Sequence, residues 1–387
     1  MKPYVTIEWN DTETNAVGWL CVFNLIKGFA GGGTRMHPSV TKEEVIRLAE
    51  IMAYKRNSAG CVYKGGMKAG IVYDYKAPDA YDVFRRFIIA MRPYIQVGLN
   101  LGSDLGTREE DMRAIFNELG IEEPQTCSMK KDPKITQGID NLQLMLKDNY
   151  RGWALNDCVT GFGVAFSADE AWKSLKGAPG ASVVVQGFGC VGKSCCLKLK
   201  ELGYKIVGVA DVNCFVYCPD GLDIDGLVKN VLPRGEMDQS KFDPSWEVKP
   251  NTGWLDVPCD IFIPAALEDV LNSRNADKFQ GKLVCEGANI PVTAEADQVF
   301  HRKGIRLVPD FIANIGAIRF FYAVAFCDVT ATPEAIVDDI EAVCRKNVSN
   351  LFAKANETKR YEREIAMELF RPTIQDEPDY EPVTVKA

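Results

Sequence analysis

Histidine is scarce in this chain of 387 residues, which contains only His37 and His301. Neither lies in a cluster of side chains that could bind a metal, so a histidine-rich metal centre and a Ser-His relay have little to draw on. The sequence therefore predicts no metal site, and both histidines are interpreted as structural or surface residues.

Other absences exclude whole classes of partner. The chain lacks an excess of basic charge: its 53 acidic and 45 basic residues give a net charge of -8, which does not attract nucleic acid or an anionic membrane. It has no run of about 18 uncharged apolar residues, and Met1 to Thr6 contains no apolar h-region. We expect a cytoplasmic protein with a small-molecule partner, no nucleic acid and no membrane.

Paired cysteine spacings are missing, although cysteine is abundant. The 13 cysteines occur singly or as the neighbours Cys195-Cys196, and no Cys-x-x-Cys is present. An odd number without an export signal fits a reducing compartment better than a disulfide framework. We interpret these cysteines as buried thiols.

What the chain does contain is enough apolar material for two domains, since 47% of its residues are hydrophobic. From about Trp153, helices alternate with short apolar strands, which predicts a parallel sheet covered on both faces. The predicted strands of this part are 182–186, 205–210, 261–264, 283–286 and 306–309. We predict an α/β fold with an N-terminal mixed α/β substrate domain at 1–150 and a Rossmann, doubly wound dinucleotide-binding domain at 151–330.

The first domain opens with two predicted strands, 4–9 and 18–25. A capping-box pattern at Thr41 to Glu44 then starts a helix, on whose apolar side Lys55 lies. A second such pattern at Thr107 to Glu110 starts another helix and places Asp104 in the loop before it.

The C-terminal part contains one long predicted helix. Thr332 is its N-cap and Pro333 its first residue, and apolar residues recur along it at helical spacing. We expect the stretch 331–370 to return to the N-terminal domain and 371–387 to be an extended arm or a tail.

A glycine motif with the sequence Gly187-Phe188-Gly189-Cys190-Val191-Gly192 follows the predicted strand 182–186 and opens a helix. This context is that of a turn whose backbone N-H groups bind a dinucleotide pyrophosphate. Asp211 ends the next strand, where its carboxylate can accept hydrogen bonds from the adenosine ribose and would repel a 2′-phosphate. NAD is therefore favoured over NADP; the alternative is a tight turn with Asp211 capping a loop.

Two lysines stand thirteen residues apart, Lys55 and Lys68, and glycines precede the second in Gly65-Gly66-Met67-Lys68. A cationic pair held by glycines suits a substrate carboxylate and a proton transfer, and Asp104 can exchange the proton. The alternative is that both lysines are solvated surface residues.

A series of motifs from Gly32 to Tyr322 resembles the glutamate/leucine/phenylalanine/valine dehydrogenase family, and is closer to the leucine/phenylalanine type than to the glutamate type. Besides the dinucleotide turn they are Gly32-Gly33-Thr34-Arg35-Met36, Met52-Ala53-Tyr54-Lys55, Gly65-Gly66-Met67-Lys68, Ser103-Asp104-Leu105-Gly106-Thr107, Thr160-Gly161-Phe162-Gly163-Val164, Ile263-Pro264-Ala265-Ala266-Leu267, Glu286-Gly287-Ala288-Asn289 and Pro309-Asp310-Phe311-Ile312-Ala313-Asn314.

The resemblance implies an NAD-dependent, homo-oligomeric amino-acid dehydrogenase that reversibly converts an L-amino acid to a 2-oxo acid and ammonia. It assigns Lys55 to the substrate α-carboxylate, Lys68 to polarising the carbonyl and the attacking water, and Asp104 to proton transfer. It implies further substrate contacts from Gly31, Gly32, Asn289, Asn314, Ile318 and Phe321. It implies further cofactor contacts from Thr160, Asp211, Val212, Ala265 and Asn289.

Two departures from the glutamate-using members bear on the substrate. Those members have a lysine where this chain has Gly31 and a serine where it has Phe321. A buried substrate carboxylate would then lack a partner, which favours an apolar aliphatic or aromatic side chain. Arg319 leaves another source of charge open, and Lys64 stands at a position where the family commonly has an aromatic residue. The alternatives are a member specialised for an unusual amino acid and a non-catalytic NAD-binding protein.

Overall fold

The computed structural model describes residues 2–61, 64–121, 133–232 and 235–373. The chain forms two compact units: Met1–Ile139 with the segment that begins at Arg371, and Asp140–Phe370. The first boundary thus lies before the one predicted after residue 150. Within the described residues, no helix has the length and apolarity needed to cross a membrane.

The first unit contains a five-stranded mixed sheet. Its strands are β1 (Val5–Asn10), β2 (Val17–Val22), β3 (Ala30–Met36), β4 (Gly65–Val72) and β5 (Leu99–Ser103), in the order β1-β2-β4-β3-β5. β3 is parallel to β4 and β5, while β2 is antiparallel to β1 and β4. The strands predicted near residues 4–9 and 18–25 are confirmed as β1 and β2, and the mixed α/β character is confirmed with them.

Helices cover both faces of this sheet. They are α1 (Lys42–Ser58), α2 (Ala80–Gln96) and α3 (Glu109–Glu118); a further helix, α4 (Pro133–Met145), spans the boundary between the units. The predicted cap of α1 is confirmed, because Thr41 Oγ1 accepts a hydrogen bond from the Glu44 N-H at 3.1 Å. On the opposite face, Met67 and Ile71 of β4 share a core with Phe87 and Ile115.

The second capping box is wrong in detail. α3 begins at Glu109 with Arg108 at its N-cap position, and no side chain caps it. The Thr107 hydroxyl instead donates to the Thr34 carbonyl at 2.7 Å and accepts from the Asp104 N-H at 2.9 Å. Thr107 therefore fixes the loop that carries Asp104.

The second unit is built on a seven-stranded sheet with the order β11-β10-β9-β8-β12-β13-β14. β8 (Ser182–Gln186) pairs in parallel with β9 (Lys205–Ala210) and β12 (Cys259–Pro264), and the parallel run continues through β13 (Gly281–Cys285) and β14 (Arg306–Val308). Two short antiparallel strands, β10 (Phe215–Tyr217) and β11 (Glu247–Lys249), extend one edge. The predicted parallel sheet is confirmed. A separate two-stranded ribbon consists of β6 (Asn149–Tyr150) and β7 (Trp153–Ala154).

The helices of this unit are α5 (Leu155–Ser174), α6 (Cys190–Glu201), α7 (Ile224–Lys229), α8 (Ala294–Lys303), α9 (Asp310–Ala313), α10 (Gly316–Ala325), α11 (Pro333–Thr358) and α12 (Glu362–Leu369), with short 3-10 turns at Gln239–Lys241 and Gly253–Asp256. α5 is buried along most of its length and packs against α6 and α11.

The return of the stretch 331–370 to the N-terminal domain stays a prediction. The Thr332 cap of α11 is confirmed, but the helix belongs to the second unit, where its apolar stripe packs on α5. Arg345 of α11 also pairs with Asp169 of α5 at 2.6 Å. The apolar partner that the stripe needs is thus inside this unit. Only 371–373 of the predicted tail lie within the described residues, and Asn57 and Asn24 donate to the Arg371 and Thr373 carbonyls there.

Candidate active site

Three glycines, Gly31, Gly33 and Gly66, form a side-chain-free patch that we call the glycine floor. They lie on the face of the first sheet that α1 covers, since a Cβ on Gly66 would lie 2.2 Å from the Ala53 nitrogen. Gly31 pairs with Gly66, and Gly33 follows two residues later on the same face of β3. The opposite side of β3 is closed at Gly32, where a Cβ would overlap the Met67 carbonyl at 1.7 Å.

Lys68 and Asp104 meet over this floor. The Lys68 ammonium lies 2.8 Å from Asp104 Oδ2 and is almost completely buried. A Cβ on Gly33 would lie 3.3 Å from Lys68 Nζ and 3.0 Å from the Asp104 Cβ. Glycine at position 33 therefore leaves the room in which this pair forms.

Arg35 approaches Asp104 from a second direction, which the sequence reasoning did not anticipate. Its Nε donates to Asp104 Oδ2 at 3.1 Å, and its Nη1 donates to Glu44 Oε1 at 2.6 Å. The signal was present: Arg35 follows Gly33 by two residues in a strand, so it lies on the same face. Glu44 at the start of α1 thereby connects the helix to the site.

Lys68 and Arg35 determine the charge state of Asp104. Burial is the largest single effect and favours the neutral acid, but the charges and hydrogen bonds of Lys68 and Arg35 together outweigh it and lower the pKa of Asp104 to about 2. Asp104 is therefore a carboxylate at neutral pH, hydrogen-bonded to the ammonium of Lys68.

Lys55 is also buried, as its position on α1 predicted, in the last turn of that helix. Its neighbour Arg56 was not considered in the sequence reasoning. Arg56 Nε donates to the Gly31 carbonyl at 3.2 Å, and Nη2 lies 2.7 Å from where a Gly31 Cβ would be. The first unit thus brings Lys68, Asp104 and Gly31 of the prediction onto one face of its sheet, and Lys55 lies on the helix that covers this face.

The dinucleotide turn occupies the end of β8 in the second unit. Gly187 has φ +107°, which favours glycine, and Gly192 faces the Gly187 carbonyl so closely that a Cβ would lie 1.9 Å from it. Nothing lies within 4 Å of a Cβ placed on Gly189. The N-terminus of α6 has no side-chain cap, so its N-H groups suit a pyrophosphate.

Asp211 follows β9 and anchors its own loop. Oδ1 accepts from the Asn213 and Cys214 N-H groups at 2.8 and 2.9 Å, and Oδ2 accepts from the Met237 N-H at 2.8 Å. Val212 beside it is exposed. A carboxylate oxygen has two lone pairs, so acceptor capacity remains for a ribose hydroxyl.

A loop after β13 collects further predicted residues. Asn314 Nδ2 donates to the carbonyls of Gly287 and Ala288, both at 3.1 Å, and approaches Asn289 Oδ1 at 3.5 Å. Its buried Oδ1 has no hydrogen-bond partner among the described residues. A buried acceptor of this kind suits an amide N-H donor of a ligand.

The remaining predicted residues are divided between helices and strand ends of the second unit. Ala265 N donates to the Gln186 carbonyl at 2.6 Å, so it adjoins the end of β8, and Thr160 lies on α5. Ile318 and Phe321 are half-buried on α10. Arg319 is held by Asp339 of α11 in two hydrogen bonds of 2.6 and 2.9 Å, which gives it a structural partner.

The glycine floor, the lysine-aspartate pair and the dinucleotide turn are accompanied by matches to one family over most of the chain. Residues 152–372 match the family described as Glutamate/Leucine/Phenylalanine/Valine dehydrogenase, and residues 4–120 match its dimerisation domain. The chain belongs to the Glu/Leu/Phe/Val dehydrogenase family. It is therefore an amino-acid dehydrogenase that uses a nicotinamide cofactor.

Among relatives of known activity in this family, the NADP-specific glutamate dehydrogenase of Saccharolobus shibatae is 36% identical over 309 residues, covering 78% of this chain and 69% of its own. The glutamate dehydrogenase of Aeropyrum pernix is 31% identical over 324 residues, covering 81% and 73%. The fold is shared with a hetero-hexameric glutamate dehydrogenase from Thermus thermophilus in a leucine-bound form: TM-score 0.73, 23% identity, 95% of this chain and 87% of that one. These relatives give no support to the predicted closeness to the leucine/phenylalanine type.

Proposed function

We propose that this dehydrogenase uses Lys68 and Asp104 as its acid-base pair in the oxidative deamination of an L-amino acid. The observation that carries the proposal is the 2.8 Å contact between the buried Lys68 ammonium and Asp104. Bound NAD would accept the hydride from the substrate α-carbon. Water then adds to the resulting imine, and the products are a 2-oxo acid, ammonia and a proton.

In this proposal Lys68 polarises the carbonyl and the attacking water, and Asp104 moves protons to and from the amino group. Asp104 suits this role because its low pKa keeps it ionised, while its hydrogen bond to the Lys68 ammonium gives a path for a proton. Lys55 binds the α-carboxylate from α1. The ammonium and guanidinium groups around the glycine floor provide positive charge for an anionic substrate.

NAD is the proposed cofactor, although one relative is NADP-specific. The turn Gly187 to Gly192 and the uncapped start of α6 would hold the pyrophosphate, and Asp211 with Val212 would meet the adenosine ribose. Thr160, Ala265, Asn289 and Asn314 would orient the nicotinamide end. Asp211 carries the preference, because a 2′-phosphate would approach its negative charge.

Two candidate substrate classes remain, and different observations favour them. Gly31 and Phe321, in place of a lysine and a serine, favour the apolar side chain that the sequence predicts, with Ile318 as a further contact; the predicted contact of Gly32 is disfavoured, because Gly32 faces the Met67 carbonyl on the opposite side of β3. The glutamate dehydrogenase relatives and the guanidinium of Arg56 beside Gly31 favour a side-chain carboxylate.

The test follows NADH and NADPH absorbance with about twenty L-amino acids, and with their 2-oxo acids plus ammonia. We expect turnover with NAD and at least one amino acid. Failure of every pair would contradict the proposed function. We further propose a homo-oligomer, because residues 4–120 match a dimerisation domain; light scattering on the eluting protein would measure its mass.

A further inference from the structure

Arg56 is a cation, and packing alone does not explain why its charge lies beside the glycine floor. It lies in the last turn of α1, next to Lys55, and reaches across the glycine floor to Gly31. Arg56 as a whole residue is half-buried, and enough protein surrounds its guanidinium that burial lowers its pKa. Enclosing a charge in this way is unfavourable unless an anion compensates it.

That anion is not found in the part of the chain that the structure describes. Arg56 donates to the Gly31 carbonyl, and no carboxylate of residues 2–61, 64–121, 133–232 or 235–373 pairs with it. By contrast, Arg35 on the same face has both Asp104 and Glu44. A guanidinium with an unused planar pair of donors matches a carboxylate.

The distance along β3 between the sites of Arg56 and Lys68 bears on the size of that ligand. Arg56 Nη2 lies 2.7 Å from the Cβ position of Gly31, and Lys68 Nζ lies 3.3 Å from the Cβ position of Gly33. Those two positions are on one face of β3, two residues apart, which is roughly 7 Å. Arg56 and Lys68 therefore lie beside two points on the glycine floor that are roughly 7 Å apart.

A substrate whose α-carbon reacts beside Lys68 and Asp104 would direct its side chain along β3 towards Arg56. An extended side chain with two methylenes and a carboxylate reaches roughly 5 Å from its α-carbon, given bonds of about 1.5 Å. A charge-assisted hydrogen bond of about 2.8 Å to the guanidinium completes the interval. One methylene fewer gives roughly 6.5 Å in total, which spans the interval equally well.

We propose that Arg56 supplies the cation that position 31 lacks and selects an L-amino acid whose side chain carries a carboxylate one or two methylenes from the α-carbon. The inference rests on the proposed function, because it places the reacting carbon at Lys68 and Asp104. It replaces the apolar substrate predicted from Gly31 and Phe321: the space opened at Gly31 is taken by the guanidinium, which removes the argument that a side-chain carboxylate would be unpaired.

The test compares catalytic efficiency for L-glutamate, L-aspartate, L-glutamine and L-norvaline, the last having the same chain length without the carboxylate. The unaltered protein should prefer glutamate or aspartate to glutamine and norvaline by at least about tenfold. Arg56→Met should lower the ratio of glutamate to norvaline by about 100-fold, mainly through KM, because a substrate carboxylate is left unpaired. Arg47→Met, on the exposed side of the same helix, is the matched control and should leave the ratio unchanged.

A rescue experiment distinguishes a role of Arg56 in substrate recognition from a purely structural role. Gly31→Lys combined with Arg56→Met should recover at least about tenfold of the lost ratio, because Arg56 is the only side chain within 3.4 Å of the Gly31 Cβ position among the described residues. An Arg56→Met protein that keeps both the melting temperature and the glutamate-to-norvaline ratio of the unaltered protein would overturn the proposal. A preference of the unaltered protein for norvaline would overturn it as well.

Binding of glutarate, measured calorimetrically, distinguishes this inference from the proposed function. Glutarate carries both carboxylates but cannot be oxidised by hydride loss from an amino-bearing carbon. Binding that Arg56→Met weakens at least about tenfold would support the assignment even in a protein without turnover, in which case the proposed function fails alone. Turnover of apolar amino acids with glutarate binding that does not depend on Arg56 would refute the Arg56 assignment and leave the proposed function standing.

Discussion

Asp104 in the first unit and Glu286 in the second unit both contact arginine in the protein interior, yet their acidities shift in opposite directions. Lys68 and Arg35 hold the pKa of Asp104 at about 2 despite burial. The pKa of Glu286 is raised, first by burial and then by the charges of Asp310 and Asp297, against which Arg363 acts in the lowering direction. The difference lies in the balance of charges and not in burial itself.

The second cluster has the contacts expected of a structural network. Arg363 donates to Glu286 Oε1 at 2.6 Å and also pairs with Asp297. Glu286 Oε2 accepts from the Asp310 N-H at 2.8 Å, and Asp310 Oδ2 accepts from the Ile290 N-H at 2.9 Å. One guanidinium and several backbone amides thus tie α12 to the loops after β13 and β14.

The comparison teaches that a buried charge alone does not identify a catalytic group. Around Asp104 two cations surround one acid beside glycines that have no side chains. Around Arg363 the acids outnumber the cation and protein groups fill the donors and acceptors. We therefore expect chemistry from the first cluster and stability from the second.

The largest effect is expected when Lys68 is removed. Lys68→Ala should lower turnover by about two to four powers of ten, because acid-base and electrostatic stabilisation are lost together. Asp104→Asn should act similarly while preserving shape. Turnover is followed by NADH absorbance, and cofactor binding by NADH fluorescence, which should persist because the dinucleotide turn lies in the other unit.

Lys42→Ala is the control for Lys68→Ala. Lys42 is a half-buried lysine of the same unit whose ammonium pairs with Glu8 at 3.3 Å. It should retain the turnover of the unaltered protein. Near-normal turnover in Lys68→Ala would show that Lys68 does not have its proposed role. Catalysis would then no longer distinguish the Asp104 cluster from the Arg363 cluster.

Arg363→Met tests the other side of the comparison. It should lower the free energy of unfolding by about 3–5 kcal/mol, because Glu286 and Asp297 lose their shared cation in the interior. Glu286→Gln removes the acid that burial disfavours and should cost less. Urea unfolding followed by tryptophan fluorescence measures both, and a folded Arg363→Met protein with normal stability would contradict the structural role.

The pH dependence of this effect has a definite sign. The raised pKa of Glu286 means that the folded state keeps a proton that the unfolded state has lost, so stability falls as pH rises above about 4.5. Without Arg363, which lowers that pKa, the fall should extend to higher pH. A stability of Arg363→Met that rose over this window would contradict the assignment.

Most of the fold could be predicted from the sequence because the strands and glycines carry local signals. The five parallel strands of the second sheet and the caps at Thr41 and Thr332 follow from periodicity and N-cap chemistry. The packing partner of α11 could not, since an apolar stripe predicts burial but does not identify the surface that covers it.

The candidate site divides in the same way. Lys55, Lys68 and Asp104 stand in motifs, whereas Arg35 and Arg56 matter through tertiary contacts with Asp104 and Gly31. The alternation of side chains along a strand puts Arg35 on the same face as Gly33, but only the fold brings Asp104 to the same point. Thr107 was assigned to a cap because its partners Thr34 and Asp104 lie on other strands or loops.

Arg35→Met would sharpen the contrast by making the surroundings of Asp104 resemble those of Glu286. One of two cations would be gone while burial remains, so the pKa of Asp104 should rise from about 2. The acid limb of the kcat/KM profile should then move upward by about one pH unit or more. Arg86→Met, which breaks a pair with Asp11 in the same unit, is the control and should not move it; an unmoved limb in Arg35→Met would exclude Asp104 from the titration.

The smallest effect concerns Asp211, a third carboxylate that accepts hydrogen bonds from three backbone amides and has no lysine or arginine partner among the described residues. Its charge is therefore not neutralised by the protein, and a 2′-phosphate placed beside it would be repelled. We expect the unaltered protein to prefer NAD to NADP, and Asp211→Ala to lose about tenfold of that preference, or about 1.4 kcal/mol. Asp223→Ala, which removes a helix-capping carboxylate of the same unit, should keep the preference and so controls for general destabilisation. Steady-state kinetics with both cofactors measure the ratio, and equal efficiency of the unaltered protein with NADP would show that a carboxylate at the end of β9 does not select the cofactor here.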